Sequence, residues 1–472
     1  MKKNILITVL ILVFTVLAGC DRGILEVDDS IIDPNLVAEE VVLANPSRAQ
    51  IIQLCKGLES AMRNGYNDFI ASSAAVGREV VSSRSTDNRY YTELLGTDVA
   101  NLGGANDPAG IFNVYYTAFS ATRRRAELLV RTVTNATTIS TSEKKAVEGF
   151  ARTIQAYVTL NLLNMQGKNG IRETFSDLNR EGDLLRPGSF GTYASGLAVV
   201  KKYADDGLAA LNAATTFPFD LSQTWKPTVA GNDFSSVENF KKFNRAVAAR
   251  IALYQADWAN LPNILSGSFL DLNDSLTKGP KYIWSTAAND LTNTLFVTPN
   301  NNGQPYVVFN EVIAAVEPGD TRFTGSTAKA QPRTTPRQSG AFLSTHEVRM
   351  FSSNISPSSI IKNEELILIW AEAHAELGQL AIAETAINRI RTAYNLAPYS
   401  GAVTKEALID EVLNQRRFSL FFEGHRWFDM RRRGRLAQIQ PQGQIGAQGQ
   451  TFVVFEAMAR PDAEVQWDRA NP

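Results

Sequence analysis

The chain has 472 residues, of which 44% are apolar and 20% charged, a balance that supports a large buried core and excludes intrinsic disorder and a fibrous repeat. Its formal net charge of -1 sets up no overall field that would draw a polyanion, so bulk electrostatics argue against nucleic acid as a partner.

At the N-terminus Lys2 and Lys3 precede an apolar run from Ile5 to Ala18, the layout of a secretory signal. The run is shorter than the roughly 20 residues of a membrane-spanning helix, so it reads as a cleaved segment rather than an anchor. It ends in Leu17-Ala18-Gly19-Cys20, which resembles the bacterial lipobox. On that reading residues 1–19 are a lipoprotein signal peptide and Cys20 is the lipidation site. Its acyl chains, palmitate among them, tie an otherwise soluble domain to a membrane. The alternative is an ordinary signal peptide with a chance cysteine. Only Cys55 remains once Cys20 carries lipid, so no internal disulfide is available. The acidic stretch that follows, with Asp21, Glu26, Asp28, Asp29, Asp33, Glu39 and Glu40, suits a tether over residues 20–44.

Ser47 and Gln50 have capping-box spacing ahead of Leu54, Leu58 and Met62, which predicts a first helix. A second is expected from about Ile111 to Val133. A third follows Ser140, paired with Glu143 at the same spacing, with Val147, Phe150, Ile154, Val158 and Leu162 on one face. Amphipathic helices are also predicted over Tyr193–Leu211 and Val237–Trp258. From about 260 to 350 the composition shifts to Gly, Pro, Asn, Ser and Thr, with short β-favouring runs at Thr294–Val297 and Tyr306–Phe309. This predicts irregular loops with minor strands. Helical periodicity returns with Leu366, Ile367, Ile369, Trp370, Ala373 and Leu377, breaks at Gly378, and resumes through Ile382, Ala386, Ile387 and Ile390. The pair looks like one tetratricopeptide-type unit, although no fixed period runs along the chain.

The most specific segment is Gln415-Arg416-Arg417-Phe418-Ser419-Leu420-Phe421-Phe422-Glu423-Gly424-His425-Arg426-Trp427-Phe428-Asp429-Met430-Arg431-Arg432. It closely resembles the C-terminal signature of the SusD/RagB family. The preceding Asn363–His374 and Ala386–Arg391 stretches are similar to that family's late helix pair, and Asn45-Pro46-Ser47-Arg48-Ala49 is similar to its first-helix start. The tail departs from the family pattern, reading Ala459-Arg460-Pro461-Asp462 in place of a Pro-Ile-Pro stretch.

The resemblance implies a mostly α fold, SusD-like, with tetratricopeptide-like helix pairs, irregular loops and minor strands. Residues 45–472 would then form one domain, a helical scaffold over about 45–260 and 360–436 with a loop-rich, ligand-facing insertion over about 261–359. It further implies a lipid-anchored protein of the outer membrane, exposed at the cell surface, that is not an enzyme and carries no cofactor. Such a protein captures a nutrient, an oligosaccharide first among the candidates, for a partner SusC-like TonB-dependent transporter. A lipid-anchored scaffold whose tetratricopeptide-like helices bind envelope proteins is the first alternative, and a secreted glycoside hydrolase, which needs two carboxylates facing each other across a pocket, is the second.

Glu423, His425 and Asp429 could pair a carboxylate with an imidazole for acid–base or metal chemistry. The chain has only three His, with no His-x-x-x-His spacing, and Phe421, Phe422, Trp427 and Phe428 surround these residues. The structural reading is therefore preferred: Arg416, Arg417, Glu423, Gly424, His425, Arg426, Trp427 and Asp429 form a packed corner whose charges pair with one another. Glu372, Glu376, Glu411 and Asp429 are the expected partners of the arginines, and no metal is implied. Arg123, Arg124 and Arg125 read as a solvated helix face. A sugar site uses exposed rings as flat platforms flanked by hydrogen-bonding groups. Tyr90, Tyr91, Asn106, Asp107, Tyr282 and Trp284 are the candidates because they fall in loop-like sequence, and packing beneath a loop is the competing explanation for each.

Overall fold

The computed structural model describes residues 45–96, 113–176, 186–228, 232–339, 342–445 and 450–470. Cys20, the tether, Asn106 and Asp107 lie outside the described residues. Helix α1 (Arg48–Ala61) opens on the expected capping box, with Ser47 Oγ accepting from the Gln50 amide at 3.3 Å and Gln50 Oε1 accepting from the Ser47 amide at 2.8 Å. Two first-turn donors are thereby satisfied. Helix α2 (Tyr66–Val76) shows no helical period in its sequence because Phe69, Ile70, Ser72, Ser73, Ala74, Ala75 and Val76 are all buried. A helix buried nearly all round carries no polar stripe to set a phase.

Strand β1 (Val80–Ser82) and the single turn α3 (Arg89–Thr92) come next. The long helices α4 (Val114–Asn135) and α5 (Thr141–Gln166) pack together, and α5 starts on the Ser140/Glu143 capping box. After the ribbon of β2 (Phe175–Ser176) and β3 (Arg186–Pro187), helices α6 (Tyr193–Asn212) and α7 (Val237–Gln255) pack against α5. The burial of α5 on nearly every face makes it the centre of the scaffold. One expectation fails here: Arg123 is buried, donating to the carbonyls of Arg172 and Glu173 and to the Tyr203 hydroxyl. Its two terminal nitrogens find backbone and hydroxyl acceptors inside the fold, which is what lets the group be buried.

Helix α8 (Leu261–Ser266) and β4 (Lys281–Tyr282) lead into the loop-rich region. There β5 (Tyr306–Val308), the short helix α9 (Asn310–Ala314), β6 (Ala330–Ser339) and β7 (Phe342–Val348) precede β8 (Ser358–Ser359). Strands β1, β5, β7 and β6 form an antiparallel sheet in the order β1-β5-β7-β6. The β6–β7 hairpin is longer than the minor strands expected. Pro332 and Pro336 masked it, and both are tolerated because β6 is an edge strand with a register shift between Pro332 and Arg337. The strand expected at Thr294–Val297 is a loop instead. Asn293 accepts from the Leu295 amide at 3.0 Å and donates to the Ser356 carbonyl at 2.9 Å, and such local side-chain bonds replace a ladder.

The C-terminal third is helical: α10 (Asn363–Glu376), α11 (Leu380–Ala393), α12 (Lys405–Ser419) and α13 (Arg426–Arg432). Gly378, at φ +74°, ends the first of the pair where a left-handed residue is needed. A second core of Ile367, Leu368, Ala371, Ala383, Ile387, Leu408 and Val412 joins α10, α11 and α12. Its alanines let the helix axes approach. The ribbon of β9 (Gly443–Ile445) and β10 (Gln450–Phe452) and helix α14 (Asp462–Ala470) complete the described chain. Buried Arg78 fastens this tail to the N-terminal region by donating to the carbonyls of Pro441, Val453, Ala75, Leu94 and Leu95. The architecture is mostly helical with few strands, as expected. Among the described residues no helix is long and apolar enough to cross a membrane.

Candidate functional site

The C-terminal signature folds into a charge knot. Arg416 on α12 donates to Asp429 Oδ2 at 2.7 Å, Arg432 donates to Asp429 Oδ1 at 3.0 Å, and Arg432 and Arg433 both clamp Glu372 on α10. Arg433 also reaches Glu376 at 2.5 Å. Glu411 takes no part, pairing instead with Arg391 at 2.6 Å. Burial alone would raise the Asp429 pKa, but the Arg416 and Arg432 charges outweigh it and hold the carboxyl well below the usual carboxylate range.

A second pair is layered on this one. Arg250 on α7 grips Glu365 on α10 with bonds of 2.6 and 2.5 Å, and His425 Nε2 lies 3.8 Å from the same carboxylate. Burial pushes the His425 pKa down to about 3, so the imidazole is neutral at neutral pH. Lys362 closes the corner on Glu423 at 2.6 Å and on the Ser419 carbonyl at 2.8 Å. The α12–α13 turn depends on Phe422 and Gly424, both at positive φ (56° and 77°). Each carboxylate here is held by a neighbouring cation, an arrangement suited to fixing helices rather than moving protons. Arg417 and Arg426 are different, lining a surface hollow with no carboxylate clamp.

The aromatic candidates separate into two groups. Tyr282 and Trp284 are 1% and 3% exposed, which corrects their reading as open platforms. Their rings pack at 4.6 and 6.3 Å from that of Tyr66, and Trp284 Nε1 donates to Ser358 Oγ at 3.2 Å. Tyr90 and Tyr91 on α3 are half-buried. The Arg84 guanidinium lies 3.9 Å from the Tyr90 ring centroid, and Asp87 accepts from Arg89 at 3.0 and 2.9 Å. Ser85 ties this segment to the Gly303 carbonyl at 2.9 Å. In that neighbouring loop Asn301 Oδ1 holds the Gly303 and Gln304 amides, while Asn302 Oδ1 accepts from Arg333 at 3.0 Å. A ring and an arginine thus lie on a segment that is tied to the Asn301–Gln304 loop beside the β1–β5 end of the sheet. Tyr90 and Tyr91 are not brought together with Tyr282 and Trp284 at one surface.

Two larger clefts are built from combinations of residues that no single sequence motif marks. One of about 540 Å³ is lined by Lys168, Tyr193, Tyr254, Arg431, Leu436 and Glu456, among others. Tyr193 donates to Asn164 Oδ1 at 2.7 Å beneath the Arg431 guanidinium. Another of about 490 Å³ has a polar lining that includes Lys56, Glu59, Arg63, Asp220, Ser222 and Asp290. Burial raises the Glu59 pKa against the opposing hydrogen bonds from Ser222. Both clefts draw on segments distant in sequence, so only the position of Tyr193 just after the Thr192 cap gave any local signal.

Residues 360–463 match the family model described as the SusD family. The fold matches a surface glycan-binding protein A from Bacteroides thetaiotaomicron with a TM-score of 0.64 at 13% identity, covering 91% of this chain and 99% of that one. A SusD superfamily protein from Parabacteroides distasonis gives a TM-score of 0.64 at 13% identity, over 92% and 98% of the two chains. A SusD-like carbohydrate binding protein from Bacteroides vulgatus gives 0.62 at 13% identity, over 90% and 97%. No curated relative matches the chain in sequence. The resemblance carried by Gln415–Arg432 is borne out, and the fold is SusD-like.

Proposed function

From the premise of a SusD-like chain whose residues 360–463 match the SusD family, we propose that this protein is a lipid-anchored, surface-exposed nutrient-binding protein of the outer membrane. It captures an oligosaccharide without chemical change and passes it to a TonB-dependent transporter. The observation that carries the reading is the likeness in fold to proteins named as surface glycan-binding and carbohydrate binding, over nine-tenths of this chain. Cys20 would carry the lipid. The sugar would lie across Tyr90 and Tyr91, with the neighbouring Arg84 as a hydrogen-bond donor to hydroxyls. Asn106 and Asp107, outside the described residues, remain proposed contributors.

The purified chain, titrated calorimetrically against a panel of oligosaccharides, is expected to bind at least one of them. Y90A is expected to weaken that binding about tenfold or more, the size of one lost ring platform. Equal binding by Y90A and Y91A would move the site to another surface, and binding of no oligosaccharide would overturn the ligand class. One observation favours the alternative scaffold reading: Tyr282 and Trp284 are core residues, leaving fewer rings for a sugar.

A further inference from the structure

Arg417 and Arg426 stand out among the signature arginines. Arg416, Arg432 and Arg433 are each paired with a carboxylate. Arg417 instead makes one hydrogen bond, to the Glu311 carbonyl at 3.0 Å, and stacks on Phe418 with 5.6 Å to the ring centroid. The Arg426 side chain makes no hydrogen bond or ion pair among the described residues. Both are half-buried and line a surface hollow of about 310 Å³, together with Asp410, Asn414, Arg435 and Gln438. Asp410 is paired with Arg435, which lines the same hollow, so the two together add no net charge to it.

The carboxyl that should neutralise the two arginines does not. Glu79 is fully buried beside them, and among the described residues it forms no ion pair with either arginine. Burial raises its pKa to about 8 against the arginines' attraction, which leaves it largely protonated at neutral pH. Burial, and then the like charge of Arg417, lowers Arg426 to about 10. Two partly desolvated guanidiniums facing one concave space, with side-chain amides beside them, have donor forks left over. Planar forks of this kind match a group that presents two oxygens.

We propose that the hollow lined by Arg417, Arg426, Asn414 and Gln438 is a binding site for a small oxyanion, a carboxylate, phosphate or sulfate group. Its volume suits one such group or a single acidic sugar residue. The inference is independent of the sugar site proposed at Tyr90 and Tyr91, and either can fail without the other.

The test uses the full mature chain in chloride buffer, titrated calorimetrically with inorganic phosphate, inorganic sulfate and glucuronate at matched ionic strength. Saturable binding of at least one probe is expected, weakened about tenfold or more in R426Q and in R417Q and unchanged in R48Q, whose arginine pairs with Glu143 and does not line the hollow. Tighter binding of glucuronate would identify an acidic sugar as the source, and tighter phosphate or sulfate an ester or the free ion. R426Q should fold normally, because the Arg426 side chain holds no hydrogen bond or ion pair among the described residues. As a check free of variants, wild-type crystals soaked in selenate should show anomalous density between Arg417 and Arg426. No saturable binding, equal binding by all variants, or density only elsewhere would overturn the proposal.

Discussion

Replacing Glu365 by Gln removes one partner of the most enclosed ion pair that crosses from the first helical layer to the C-terminal one. The side chains of Arg250 and Glu365 are 7% and 2% exposed, and Arg250 spends its remaining reach on the Ile360 carbonyl at 3.0 Å. Burial pushes the Glu365 pKa up, yet the Arg250 charge outweighs it and brings the value from 4.5 down to about 2. That fall corresponds to about 3 kcal/mol in favour of the ionised, folded form. Because the folded value is the depressed one, this stabilisation is fully present above the unfolded value of 4.5 and is lost as pH falls through about 2. E365Q is therefore expected to lose about 3 kcal/mol near pH 7, at the lower edge of the roughly 3–5 kcal/mol seen when a buried pair loses one partner. The penalty should shrink to about 1.4 kcal/mol near pH 3, as the wild-type advantage fades. Urea unfolding of both proteins followed by circular dichroism reads the difference. A cost under about 1 kcal/mol near pH 7, or the same cost at both pH values, would refute the reasoning.

G424A forces a side chain onto a residue at φ +77°, with its Cβ 2.9 Å from Phe69 Cε1 and 3.1 Å from Ile70 Cδ1. A loss of about 1–3 kcal/mol is expected in thermal unfolding, and an unchanged midpoint would show the turn to be unconstrained. The His425 ring, with its pKa pushed down to about 3 by burial, should keep the NMR shifts of a neutral imidazole from about pH 8 to pH 5. Since its folded value lies below its unfolded one, the site costs stability as pH falls from 6.5 toward about 3; an inflection near the ordinary value would count against burial. S140A deletes the cap of α5, so a loss of about 1 kcal/mol is expected, and none would mean that packing alone sets that terminus.

The scaffold was legible where one face of a helix is wet. The apolar stripes of α1, α6 and α7 follow a 3.6-residue period, while α5, buried on nearly every face, is marked instead by its Ser140/Glu143 capping box. Helix α2 was not, because burial on nearly all sides erases the contrast that periodicity needs. Hairpin β6–β7 was disguised by two prolines that an edge strand accepts. Loop-like composition placed Tyr282 and Trp284 outside regular structure but could not reveal that Tyr66, more than 200 positions earlier, would cover them. The same long-range assembly made the clefts at Tyr193 and Glu59 and the hollow at Arg426 invisible to any local pattern. Residue types told that the arginines would seek carboxylates; only the fold tells which arginines are left without one.

The most direct test of the central claim is purification of the lipidated chain from outer membranes in mild detergent, with identification and quantification of every co-purifying polypeptide. Nutrient capture for a transporter predicts one large TonB-dependent barrel in near-equal amount, retained on further fractionation. Recovery of soluble envelope proteins with no barrel would contradict it and favour the scaffold.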